Sequence, residues 1–125
     1  METQAESTGA PSPGTGAKGR VVFVLKLKPN HQEQFLEAYE SIRYEVAQGV
    51  KGHLVDQVCQ SPTDPDSWLI TSEWESLDDF LEWESTQEHR DLAKPMRDCF
   101  AEARSLKYVV RQETSGRGAD RGDGT

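Results

Sequence analysis

The segment Trp68–His89, WLITSEWESLDDFLEWESTQEH, begins as an apolar strand that ends at Trp74 and continues into a short acidic helix. Side chains alternate across a strand, so Trp68, Ile70 and Trp74 share one face and Leu69 lies on the other. Ser76 and the aspartates that follow it resemble a capping box, which predicts the start of a helix. The segment therefore indicates a strand-to-helix connection inside a mixed α and β domain.

A second strand is predicted just before this segment, at residues 53–60 (HLVDQVCQ). Residues 61–66, SPTDPD, separate it from the strand at residues 67–74. Proline and aspartate are typical turn residues, so this stretch predicts a hairpin loop. We expect the two strands to pair in antiparallel fashion.

The first strand is predicted at residues 21–28 (VVFVLKLK), which are β-branched, aromatic and aliphatic with two lysines. Pro29 and Asn30 interrupt it, and Asn30 is a candidate N-cap for a helix that extends to about Gln48. An apolar stripe at helical spacing predicts that this helix lies on the sheet; it consists of Phe35, Tyr39, Ile42 and Val46.

A further helical stretch is predicted after Thr86, with Pro95 bending or restarting it. Its predicted apolar stripe consists of Leu92, Met96, Cys99 and Ala103. A last strand is predicted at residues 106–112 (LKYVVRQ). The order of elements, with two consecutive helices in the second helical position, is βαββαβ. This order predicts an α+β domain of the ferredoxin-like class.

Both ends of the chain differ from its middle in composition. Residues 1–19 and 114–125 are rich in Gly, Ser, Thr and other residues that lack apolar periodicity, which predicts two disordered tails around a single domain at residues 20–113. The net charge of −8 argues against a nucleic acid partner. The sequence has no apolar run long enough for a membrane span, and we expect a cytoplasmic protein with two reduced cysteines.

The predicted sheet is apolar on both faces. In the first strand Val22 and Val24 lie opposite Phe23 and Leu25. Helices cover only one face of such a sheet, and a domain of this size has nothing else to cover the second face. We therefore expect a homodimer in which two sheets pack face to face.

The strong local motifs of zinc, acyl-transfer and nucleotide chemistry are absent from the sequence. It contains no C-x-x-C, H-E-x-x-H, G-x-S-x-G or P-loop sequence. The three histidines, His31, His53 and His89, are widely spaced, and their spacing does not support a metal site.

The core of the chain resembles the antibiotic biosynthesis monooxygenase family of small dimeric α/β barrels. The resemblance covers residues 20–113 and rests on three short motifs. These are Phe23-x-Leu25-x-Leu27-x-Pro29 leading to Phe35, the hairpin Asp64-Pro65-Asp66, and Glu73-Trp74-Glu75-Ser76 before a helix. Members of the family that form polyketide quinones oxidise an anthrone with molecular oxygen and no bound cofactor. The resemblance implies this activity, with an aromatic polyketide as substrate.

The resemblance also implies site residues. Trp74 matches the tryptophan that ends the third strand in these members, and Arg97 is the candidate for the arginine of the later helix. Asn30, the sole asparagine of the chain, is the candidate amide donor of the site, while Ile70 stands where a third-strand asparagine is expected. The implied chemistry also needs a proton acceptor, and an imidazole titrates near neutral pH. The candidate acceptors are His53 and His89, and the candidate substrate-binding residues are Trp83, Tyr39 and Phe23.

Three other functions fit the same fold. Haem-degrading oxygenases are similar in architecture but use an asparagine in the first strand, where this chain has none. A polyketide cyclase or isomerase is not separated from an oxygenase by the sequence. A non-catalytic ligand-binding dimer would need Trp74 and the histidines to be structural.

Overall fold

The computed structural model describes residues 17–116 and Gly118. Within them, four strands and three helices follow the predicted order. They are β1 (Gly19–Leu27), α1 (Gln32–Gly49), β2 (His53–Gln60), β3 (Ser67–Trp74), α2 (Leu77–Glu84), α3 (Gln87–Arg97) and β4 (Phe100–Val109). Most of the two predicted tails lies outside the described residues.

The four strands form one antiparallel sheet in the order β2-β3-β1-β4. The hairpin of β2 and β3 has the predicted bounds. The sheet is open, with β2 and β4 at its edges. These features confirm the ferredoxin-like βαββαβ prediction.

Apolar side chains between the sheet and the helices form two separate core clusters. The first contains Leu25, Leu27, Phe35, Trp68 and Cys99. The second contains Val21, Trp74, Leu77 and Phe80. Positions between them on the covered face of the sheet hold small polar residues: Ser72 pairs with Val21, and Ser105 pairs with Phe23. Because serine fills less space than the neighbouring aromatic residues, this pattern leaves room between the two clusters.

The predicted caps of α2 and α3 are confirmed. The Ser76 side chain accepts a hydrogen bond from the Asp79 N–H, and the Thr86 side chain accepts one from the His89 N–H. The cap predicted for α1 is wrong. His31, without a side-chain cap, precedes the helix, and Asn30 adopts a left-handed turn conformation at φ 64°. Asparagine tolerates this conformation better than most residues, which explains its place in the turn.

The boundary between α3 and β4 also differs from the prediction. The last strand begins at Phe100 rather than at residue 106, so Ala103 lies on a strand and not in a helical stripe. α3 ends at Arg97, two residues after Pro95. The Cys99 side chain is buried between the two elements. The strand continues through residues 100–105 because they pair with β1.

The second face of the sheet carries exposed apolar side chains. Leu54, Val55 and Leu69 are exposed, and Tyr108 is 54 % exposed. Among the described helices, none has both the length and the apolar character that a membrane crossing requires.

Candidate functional site

A cavity of about 220 Å³ lies between the covered face of the sheet and the helices. Trp74 and Phe80 of the second core cluster line it, as do Phe23 and Met96, which pack against the first. The cavity is thus the space between the two clusters. Its volume is below the roughly 300–1,000 Å³ of pockets that enclose drug-sized ligands, so a polycyclic ligand would leave part of its surface at the opening.

Six of the eight predicted site residues line this cavity: Phe23, Tyr39, Trp74, Trp83, His89 and Arg97. Its other polar and charged lining residues are Arg43, Asp56, Ser72, Glu84 and Ser105. Asn30 and His53 are not among the lining residues. Asn30 is exposed in the turn after β1, whereas the His53 side chain is only 4 % exposed and lies beside Trp74.

Trp74 ends β3 and is 2 % exposed. Its indole N–H donates a hydrogen bond of 2.9 Å to Ser72 Oγ. Phe80 packs edge-on against the indole, with 5.3 Å between ring centroids. Trp74 is therefore a core residue and a wall of the cavity at once, and its indole N–H is bound to the protein rather than directed to a ligand.

His89 lies in the first turn of α3, where the Thr86 cap fixes the backbone. Its ring contacts Trp83 edge-on, and its Nδ1 atom is buried without a hydrogen-bond partner among the described residues. Burial lowers the pKa of His89 below 6.5; Arg97 and Arg90 lower it further, and Glu84 opposes them. His89 is therefore a neutral imidazole at neutral pH, and it is one of the residues that line the cavity.

Arg97 ends α3 at the exposed side of the cavity. One guanidinium nitrogen, Nη2, donates a hydrogen bond of 3.1 Å to the carbonyl oxygen of Arg90. A guanidinium has five N–H donors, so this bond leaves others that can hold an anionic oxygen.

Sequence analysis did not single out Asp56, a charged residue on the covered face of β2. Tyr39 OH donates a hydrogen bond of 2.7 Å to its Oδ2 atom, and His53 Nε2 lies 3.7 Å from its Oδ1 atom. Strict alternation would place residues 53 and 56 on opposite faces. An irregularity between His53 and Val55 shifts the register and brings both to the same face.

Comparison with known proteins identifies the family and the fold of the chain. The sequence model of a family described as antibiotic biosynthesis monooxygenase matches residues 19–95. This chain belongs to that family.

Solved structures share its fold. A Caulobacter crescentus protein whose description assigns it to the same family has a TM-score of 0.69 at 18% identity, covering 78% of this chain and 92% of that one. SnoaB of Streptomyces nogalater, described as a cofactor-independent oxygenase, has a TM-score of 0.68 at 12% identity, covering 78% of this chain and 96% of that one.

Curated relatives of this family member come from Streptomyces. A 42.8 kDa protein in the whiE locus of Streptomyces coelicolor is 46% identical over 101 residues, which are 81% of this chain and 25% of that protein. Protein SchA of Streptomyces halstedii is 41% identical over 100 residues, 80% of this chain and 26% of that protein. Polyketide synthase CurD of Streptomyces cyaneus is 38% identical over 103 residues, 82% of this chain and 27% of that protein. The chain thus spans about a quarter of the length of these relatives.

In the described part of the chain, no group of three or more His, Cys, Asp or Glu side chains is arranged to hold a metal ion. The polar groups at the cavity are instead two arginines, two carboxylates, a phenol, one imidazole and two serines. Chemically, this set can accept a proton and hold an anionic oxygen.

Proposed function

We propose that this domain is a cofactor-independent monooxygenase that oxidises an aromatic polyketide, converting an anthrone to a quinone with molecular oxygen. One observation carries the proposal: the neutral imidazole of His89 and the guanidinium of Arg97 both belong to residues that line an apolar cavity. The family supports the reaction class, and the name of the Streptomyces cyaneus relative, polyketide synthase CurD, supports a polyketide substrate.

The reaction starts with loss of a proton from the ring CH₂ group of the anthrone. His89 accepts that proton, and the electron pair stays on the substrate as a carbanion delocalised onto the carbonyl oxygen. The carbanion transfers an electron to dioxygen, a carbon–oxygen bond then forms, and the protonated His89 returns its proton to the resulting peroxide anion to give a hydroperoxide. Loss of water from the hydroperoxide leaves the second carbonyl group. The balance is anthrone plus O₂ to quinone plus H₂O, and the substrate itself is the reductant.

The protein lowers the barrier through its cavity. Apolar walls that include Phe23 and Trp74 exclude water and stack on the rings, which strengthens electrostatic interactions inside. Arg97 holds the oxygen on which negative charge develops. Trp83 and Tyr39 complete the binding surface from α2 and α1.

The domain acts as a homodimer in this proposal. The face of the sheet that none of the described helices covers carries four exposed apolar residues: Leu54, Val55, Leu69 and Tyr108. Packing two such faces together removes the apolar side chains from water, which is the main driving force of obligate assembly.

Oxygen uptake by purified, chelator-treated protein tests the activity. The assay contains a tricyclic anthrone and no flavin, metal or nicotinamide, and it is corrected for spontaneous oxidation. We expect one quinone for each O₂ consumed. Arg97→Gln should lower the rate, while Arg111→Gln, an exposed arginine after β4, serves as the matched control.

Two other outcomes point to the competing functions. Rearrangement of a bound polyketide without oxygen uptake would indicate a cyclase or isomerase that uses the same carbanion. Binding without any reaction would indicate a non-catalytic ligand-binding module.

A further inference from the structure

We propose that Asp56 is a specificity-determining residue that accepts a hydrogen bond from a hydroxyl group of the aromatic ligand. This inference rests on the proposed function in one respect, namely that an aromatic ring system occupies the cavity. Asp56 lines the cavity from the edge strand β2, where Tyr39 of α1 also reaches it. The ligand class that this carboxylate selects is a hydroxylated polycyclic aromatic compound.

Tyr39 holds the carboxylate in place. The 2.7 Å distance from its hydroxyl to Asp56 Oδ2 is typical of a charge-assisted hydrogen bond. Burial raises the pKa of Tyr39 and the hydrogen bond to Asp56 raises it further, so the phenol stays protonated and donates. An ionised carboxylate has about four acceptor positions, of which Tyr39 occupies one. Asp56 therefore keeps acceptor capacity for a ligand.

His53 supports the carboxylate from behind the cavity wall. Its side chain is 4 % exposed, and its Nε2 atom has no hydrogen-bond partner within the described range. That atom lies 3.7 Å from Asp56 Oδ1, which is close enough for an ion pair when the imidazole is protonated. Ligand binding removes water from the carboxylate, and a polar side chain beside it offsets part of this loss. His53 is thus a positioning residue that acts through Asp56.

The surroundings of Asp56 favour a neutral donor over a cation. The Arg43 guanidinium lies over the Tyr39 ring, 5.5 Å from its centroid, and also lines the cavity. A positive charge on the ligand would meet this like charge. A hydroxyl group avoids the repulsion and supplies the hydrogen that the carboxylate accepts.

Ligand binding by the full chain tests the proposal without turnover. The probes are 2,6-dihydroxyanthraquinone and its 2,6-dimethoxy ether, measured by quenching of tryptophan fluorescence at a pH below the pKa of the phenols. The two compounds share the ring system, but only the first donates hydrogen bonds. Because the acceptor is charged, we expect wild-type protein to bind the dihydroxy compound about tenfold or more tightly than the ether.

Asp56→Asn should reduce this preference to about threefold or less and leave the affinity for the ether unchanged. Glu37→Gln, an exposed carboxylate of the same α1 helix as Tyr39, is the matched control and should keep the full preference. For His53, the Gln variant keeps a donor toward Asp56 and should keep most of the preference. The His53→Phe variant should lose the preference while it still binds the ether, a split that loss of structure alone would not produce.

Equal binding of both probes by wild-type protein would overturn the proposal. An Asp56→Asn variant would also overturn it if it kept the wild-type preference, or if it lost affinity equally for both probes. If Asp56→Asn does not fold, Tyr39→Phe provides the second test and should reduce the preference in the same direction. Failure of the proposed function is a separate result, because absence of oxygen uptake from an anthrone leaves the binding preference for quinones measurable.

Discussion

Among single residues, His89 carries the clearest dependence on pH. Its pKa lies below 6.5 because of burial, and the protonated imidazole cannot accept a proton. We therefore expect kcat/KM of wild-type protein to be constant near neutral pH and to fall on acidification through a value below 6.5. His89→Gln should lower kcat by about 10²–10⁴-fold, the usual contribution of a general base, and remove this acid limb.

The control for His89 is His31→Gln, since His31 precedes α1 and is not among the residues that line the cavity. Its pH profile should match that of the wild type. An acid limb that persists in His89→Gln would assign proton transfer to another group, with Asp56 and His53 as the next residues to test.

Trp74 has a structural role, so any test of its function must separate loss of activity from loss of stability. It is almost fully buried in the second core cluster, so Trp74→Ala should lower the free energy of unfolding by about 3–5 kcal/mol. Trp74→Phe keeps an aromatic ring in the wall and should lose less stability while it retains ligand binding. Urea unfolding measures both variants. A stable Trp74→Ala protein would show that the cavity collapses around the missing side chain.

Among the elements, α2 begins at a cap that the local sequence predicts, and its side chains help to form the cavity. The Ser76 side chain caps this helix, which carries Phe80 and Trp83 to the cavity. Ser76→Ala should lower the free energy of unfolding by about 1 kcal/mol, and Ser76→Asp should largely restore it because aspartate is also a good N-cap. Equal stability of all three proteins in urea would mean that packing alone fixes the start of α2.

Sequence patterns predicted the elements well where local chemistry determines them. β2 and β3 have the predicted bounds because prolines and aspartates mark the hairpin, and α2 and α3 begin at the predicted caps. β4 was predicted six residues late, since the pairing of residues 100–105 with β1 is a long-range contact that local periodicity does not show.

The candidate site, too, could be predicted from local patterns only in part. Periodicity predicted the stripe of Tyr39, Ile42 and Val46 on α1, and all three residues line the cavity. Asp56 was missed because its position depends on a register shift in β2, which alternation alone cannot reveal. The family resemblance predicted Trp74 and Arg97 at one site, and the structure brings both to the same cavity.

At the scale of the whole molecule, the sheet is open and none of the described helices covers its second face, which determines the expected assembly. We expect light scattering to give twice the mass of one chain. Leu69 is 36 % exposed on a central strand of this face, so Leu69→Glu should place a charge in the dimer interface and give a monomer. Leu36→Glu, at an exposed leucine of α1, is the control and should remain dimeric. A monomeric wild-type protein would contradict the dimer.

Trp74 belongs both to the core and to the cavity wall, so a ligand in the cavity is expected to stabilise the folded protein. The melting temperature of the protein can therefore show whether a ligand is bound. A ligand that binds only the folded state at 100 times its Kd adds about 2.7 kcal/mol to the free energy of unfolding. In a domain of this size each kcal/mol raises Tm by about 4–8 °C. A panel of aromatic compounds can therefore be ranked by melting temperature before any reaction is assayed, and the compounds that raise Tm most would define the chemical shape of the natural substrate.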